Sequence, residues 1–146
     1  MDGSSLGIVA PMAKEPAISP DGQRIAFIGY RDGSVFEEDD THRYSLGELY
    51  VANIDGSGLM RLTSTETVAE SSPSWDPSGR QIAYIALPTR TKYFNSFNFL
   101  FPEGNSVMII NPGGTCPTSV LSNTEQAQYE VAWQPGAGRE AAPLVC

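Results

Sequence analysis

The chain has 146 residues, with nine basic and 17 acidic side chains and a formal charge of −8, the wrong sign for holding phosphate backbones, which argues against nucleic acid as a partner. Hydrophobic residues make up 40%, enough for packed sheets, while 14 glycines and 11 prolines fit turn-rich all-β structure. No apolar run approaches the ~20 residues a membrane helix needs, and Met1-Asp2-Gly3-Ser4-Ser5 lacks the charged start and apolar stretch of a secretory signal.

In chain order, residues 1–15 read as the end of a repeat unit, because Asp2-Gly3-Ser4-Ser5-Leu6-Gly7-Ile8-Val9 lines up with Asp55-Gly56-Ser57-Gly58-Leu59-Met60-Arg61-Leu62. A full unit follows over 16–72, opening with Pro16-Ala17-Ile18-Ser19-Pro20-Asp21-Gly22-Gln23-Arg24-Ile25-Ala26-Phe27. It returns over 73–130 as Pro73-Ser74-Trp75-Asp76-Pro77-Ser78-Gly79-Arg80-Gln81-Ile82-Ala83-Tyr84, an offset of 57 positions. A partial unit over 131–146 begins with Val131-Ala132-Trp133-Gln134-Pro135, Trp133 standing 58 residues after Trp75. Repeats on this scale bury their apolar faces against neighbouring units, as in solenoids and propellers.

Each full unit reads as four short strands, A to D. Ser19-Pro20-Asp21-Gly22 and Asp76-Pro77-Ser78-Gly79 have the type I pattern and turn strand A into strand B. Strand B is a continuous apolar run, Ile25-Ala26-Phe27-Ile28 or Ile82-Ala83-Tyr84-Ile85-Ala86-Leu87, which predicts a strand covered on both faces. Strand C is Leu49 to Ile54 or Val107 to Ile110, and Asp55-Gly56 or Asn111-Pro112-Gly113-Gly114 turns it into strand D. The predicted fold is all-β: β-propeller blades of four antiparallel strands, two full blades plus partial blades at both ends. A β-sandwich would lack spaced copies of the same turn and tryptophan. A closed ring takes about four to eight blades, so the chain is expected to be a piece of a longer protein, to dock into a larger assembly, or to complete a ring with other copies of itself.

The residues from Ile18 to Phe27, then Glu48-Leu49-Tyr50-Val51-Ala52-Asn53-Ile54-Asp55-Gly56-Ser57-Gly58 and Arg61-Leu62-Thr63, resemble the WD-like propeller repeat of TolB-type proteins over nearly the whole chain. That resemblance implies a non-enzymatic protein-binding module of the bacterial envelope, periplasmic or extracellular. The same blades precede the catalytic domains of prolyl-oligopeptidase-like and tricorn-like peptidases, so a gating propeller of such an enzyme is the alternative. The sequence departs from the pattern at Ile18, where tryptophan is usual, at Gln134-Pro135-Gly136 in the third turn, and at Pro143.

Propeller geometry puts the B-to-C and D-to-A connections on one side, and both long insertions fall in B-to-C connections. The first carries Glu37-Glu38-Asp39-Asp40, read as a solvated loop that can attract a basic partner; it lacks the spaced ligands of a calcium loop. The second carries Tyr93, Phe94, Phe97, Phe99 and Phe101, which are costly to leave in water and read either as a local mini-core or as an anchor for a protein partner. Cys116 and Cys146 either form one bridge or are two unrelated thiols. No catalytic residue, metal site or cofactor is expected. His42 is the only histidine, and neither a Gly-x-Ser-x-Gly elbow nor a phosphate-cradling loop is present.

Overall fold

The computed structural model describes residues 12–30, 35–39, 42–65, 68–88, 105–123, 130–133 and 144–146. It is all-β, and no helix occurs among these residues. One four-stranded antiparallel sheet, in the order β1-β2-β5-β6, is made by β1 (Ala13–Ile18), β2 (Arg24–Gly29), β5 (Glu48–Asn53) and β6 (Met60–Arg61). A second, made by β7 (Val68–Trp75), β8 (Ile82–Pro88), β9 (Asn105–Ile110) and β10 (Thr118–Asn123), has the same up-and-down path. Between β2 and β5 stands a separate ribbon of β3 (Val35–Asp39) and β4 (His42–Ser45).

The apolar runs explain the packing. Along β2 and β5, alternate residues feed opposite faces. Ala26, Ile28, Leu49 and Val51 join Leu62, Trp75, Ile82, Tyr84 and Ile110 in one buried cluster between the two sheets, while Phe27, Tyr50 and Ala52 form another on the far face of the first sheet. The Phe27 and Tyr50 rings stack there with centroids 5.7 Å apart. The expectation of doubly covered strands holds, since Ile82 and Ile85, on opposite faces of β8, are both fully buried.

The repeat is visible in hydrogen bonds. Gly22 N–H donates to Ser19 O and Gly79 N–H to Asp76 O, both at 2.9 Å, closing the two predicted A-to-B turns. The turns use the same Ser/Asp pair with positions exchanged: Ser19 Oγ donates to Asp21 Oδ1 in the first, and Ser78 Oγ donates to Asp76 Oδ2 in the second. Each tryptophan then ties its unit to the preceding one. Trp75 Nε1 donates to Ala17 O and Trp133 Nε1 donates to Ser74 O, each at 2.9 Å, and Ala17 and Ser74 are themselves equivalent positions. Arg24 adds a grip across the same seam, stacking over the Trp75 ring at 4.6 Å and donating from Nη2 to Gly79 O at 3.1 Å.

Cys116 and Cys146 are bonded, with Cα atoms 5.2 Å apart and 30 positions between them in sequence. A loop of that size lowers the entropy of the unfolded chain enough to stabilise the fold by about 3–4 kcal/mol. Asn111 reinforces the same junction, its Nδ2 donating to Leu144 O at 3.0 Å and its Oδ1 accepting from Leu144 N–H at 3.2 Å.

Candidate functional site

Two features of the described residues are candidates for a functional surface. The first is the β3–β4 ribbon in the connection from β2 to β5. The acidic run, read from sequence as loop, is strand over Glu37, Glu38 and Asp39: the register sets Phe36 opposite Tyr44, Glu37 opposite Arg43 and Asp39 opposite His42, with an irregularity between Glu37 and Asp39. Pairing satisfies the backbone groups that a loop would leave to water. Asp40 lies outside the described residues, as do Tyr93, Phe94, Phe97, Phe99 and Phe101 of the equivalent connection from β8 to β9.

The second feature is absent from the sequence reading. Both first strands carry a bulge at the same place: the β1–β2 register slips between Lys14 and Ala17, and the β7–β8 register slips between Ser71 and Ser74. Within each bulge one non-glycine residue takes a left-handed backbone, Glu15 at φ 55° and Ser72 at φ 52°, and a proline follows it. Proline has no N–H for the ladder, which localises the interruption. The left-handed conformation costs roughly 1–2 kcal/mol at such a residue, a strain of the kind that collects at contact sites.

The bulges meet. Glu15 and Pro16, Ser72 and Pro73, and Glu130 and Val131 line one cavity of about 260 Å³, so the same two-residue step, recurring at each unit boundary, meets at one opening. Ser72 N–H donates to Glu15 Oε2 at 2.6 Å, joining the first two units. Lys14 Nζ lies 3.4 Å from Glu15 Oε1 and 5.5 Å from the centre of the Tyr30 ring. Burial pulls the Lys14 ammonium down, but Tyr30 and Glu15 outweigh it and hold the group above the usual lysine value. Glu15 and Glu130 place two acidic side chains on its wall. The sequence trace of this opening is the pair Glu15-Pro16 and Ser72-Pro73, a residue–proline step recurring at the repeat offset.

No group of three or more His, Cys, Asp or Glu side chains among the described residues is arranged to hold a metal, and no helix among them is long and apolar enough to cross a membrane.

No protein-family model matches the chain. Dipeptidyl-peptidase 5 of Porphyromonas gingivalis is 33% identical over 72 residues, which is 49% of this chain and 10% of that protein. Among solved structures, a putative TolB from Agrobacterium tumefaciens superposes with a TM-score of 0.53 at 18% identity, over 81% of this chain and 38% of that one. The acylaminoacyl peptidase of Pyrococcus horikoshii gives a TM-score of 0.49 at 16% identity, over 78% of this chain and 18% of that one. The chain thus spans well under half the length of each. Together with the two meandering four-stranded sheets, the TolB likeness identifies the fold as a TolB-type β-propeller in an open, partial arrangement of blades.

Proposed function

We propose that this chain is a non-catalytic propeller module that binds a protein partner through the face carrying the β2–β5 and β8–β9 connections. The observation that supports this most directly is the β3–β4 ribbon, a connection longer than a hairpin needs that is held as a sheet of its own. A segment fixed by backbone pairing loses less entropy on binding than a loop does. In this reading Glu37, Glu38, Asp39 and Asp40 meet basic groups of the partner, and Tyr93, Phe94, Phe97, Phe99 and Phe101 supply the apolar anchor that interfaces favour. The Cys116–Cys146 bridge fits an oxidising compartment, the cell envelope or outside. A photo-crosslinking residue placed at Phe97 or Phe99 in the producing cells is expected to capture one protein, and the same residue at the exposed Val120 of β10 to capture none. Capture from Val120 with none from the aromatic segment would overturn the assignment of the face.

The 33% identity to dipeptidyl-peptidase 5 favours a second reading, the propeller of a peptidase that gates substrate access. An antibody against this chain separates the two. A band near 15.7 kDa in producing cells supports the stand-alone module, whereas a larger species that also reacts with a fluorophosphonate probe for serine hydrolases supports the peptidase.

A further inference from the structure

Beneath the side that carries the long connections, the seam between the two sheets buries two carboxyl groups. Glu48, at the start of β5, is fully buried and Glu70, in β7, is 3% exposed. Glu48 is well served: Arg61 Nη2 donates to Oε1 at 2.6 Å, Thr65 N–H donates to Oε1 at 2.9 Å, and Thr63 Oγ1 donates to Oε2 at 2.7 Å. Glu70 is not. Its Oε2 is buried without a hydrogen-bond partner, and its Oε1 lies 3.2 Å from Thr65 Oγ1.

The Thr65 contact is a weak one for Glu70. A threonine hydroxyl carries one hydrogen, and Thr65 Oγ1 lies closer to Val68 O, at 2.8 Å, than to Glu70. With that hydrogen turned mainly toward Val68 O, Thr65 Oγ1 donates to Glu70 Oε1 only as the longer arm of a shared bond, which leaves a charge on Glu70 poorly compensated. A second buried negative charge beside Glu48 would also lack compensation.

We infer that the Glu48–Glu70 pair is a proton-operated latch on the seam between the two sheets, closed while Glu70 carries a proton and loosened when it gives the proton up. At Glu70, burial and Glu48 outweigh the hydrogen bonds from Thr65 and Thr63, which favour its charged form. Burial, followed by the charge of Glu48 from β5, pushes the Glu70 carboxyl up to about 8. Arg61 of β6 is engaged with Glu48. Tyr84 of β8 is itself pushed up to about 12, by burial and then by Glu70 and Glu48, so it stays neutral and offers Glu70 no charge. The charged residues of β1 and β2 act elsewhere along β7, Glu15 on Ser72 and Arg24 on Trp75. Glu70 N–H donates to Gly47 O across the seam at 2.9 Å, so movement of Glu70 pulls on the link between the sheets.

The sign follows from which state holds the proton. The folded carboxyl binds it more tightly than an ordinary glutamate near 4.5, so this contribution to stability is complete below that value and is lost as pH rises through the folded value. The test is urea unfolding of the chain from about pH 5 to about pH 9, beside side-chain carbon NMR of Glu70. The wild-type midpoint is expected to fall across that window and the Glu70→Gln midpoint to stay level. The Glu70 carboxyl carbon should titrate near 8, and the Trp75 indole N–H, bonded to Ala17 across the same seam, should shift in step with it. A level wild-type profile, a Glu70 carbon that titrates at the ordinary glutamate value, or a Trp75 signal unmoved through the Glu70 transition would each overturn the latch. The NMR arm uses the wild-type chain, so it decides even where Glu70→Gln does not fold.

Discussion

Gly47 shows how little room the seam leaves at a single residue. A Cβ built there would collide with Cγ2 of Ile28, a side chain with no exposure, while the Gly47 carbonyl holds Glu70 N–H. Gly22 makes the opposite case, with φ +70° and nothing within 4 Å of an added Cβ. Gly47→Ala is therefore expected to cost toward the upper end of about 1–3 kcal/mol by overpacking, and Gly22→Ala no more than the roughly 1–2 kcal/mol of a left-handed alanine. Denaturant midpoints of the two variants check the order, and a costlier Gly22→Ala would contradict the packing described for the seam. Gly22 was legible from its place after Ser19-Pro20-Asp21, but Gly47 was not, because a glycine chosen for close approach carries no turn residues beside it. Glu48 and Glu70 were hidden too: they are two of 17 acidic residues, 22 positions apart, and only the strand register brings them together.

At the scale of the element, the A-to-B turn was the most legible part of the chain. Proline and glycine at fixed places predict the reversal, and the exchanged Ser/Asp pair shows why Ser19 and Asp76 are interchangeable: either oxygen accepts the N–H that closes the turn, from Arg24 at 2.9 Å or from Arg80 at 2.6 Å and Gln81 at 2.8 Å. The β3–β4 ribbon was less legible, because a run of four acidic residues has the composition of a solvated loop and the pairing that makes it strand comes from the segment after it. The bulges were hidden for a related reason, since Pro16 and Pro73 mark where the ladder breaks without showing where the interrupted backbone points. Asp76 sharpens the turn argument. Burial pushes its carboxyl up, but the hydrogen bonds from Ser78, Gln81 and Arg80 outweigh that and hold it below the usual aspartate value. Its stabilising contribution is thus present above about 3.8 and is lost as pH falls through the lowered folded value. Asp76→Ala is expected to cost about 3 kcal/mol near neutral pH, against about 1 kcal/mol for Ser19→Ala, because its bonds are charge-assisted. The Asp76 penalty should shrink in acid, and urea unfolding at neutral and acidic pH would expose an equal, pH-independent loss as evidence against a charged turn.

At the scale of the whole molecule, the apolar faces that meet at the seam are hidden by the sheet opposite, and that shapes how the chain behaves alone. Trp75 and Trp133 show how one unit caps the one before it, each donating to an inner strand at the same distance. At the equivalent place in the first unit stands Ile18, 61% exposed at the end of β1, with Met12 76% exposed just ahead of that strand. The position that couples units elsewhere in the molecule therefore presents apolar surface on this flank, and open strand edges beside such surface favour pairing with another chain. The purified 146-residue chain is expected to self-associate, with a native mass above 15.7 kDa. Ile18→Glu should shift it toward the monomer while leaving its β-sheet circular dichroism and its Trp75 indole resonance intact. A discrete dimer that the substitution dissociates would place the first sheet at the contact between copies. A wild-type monomer that unfolds cooperatively would show that the flank needs no cover, and the argument from unit coupling would fail with it.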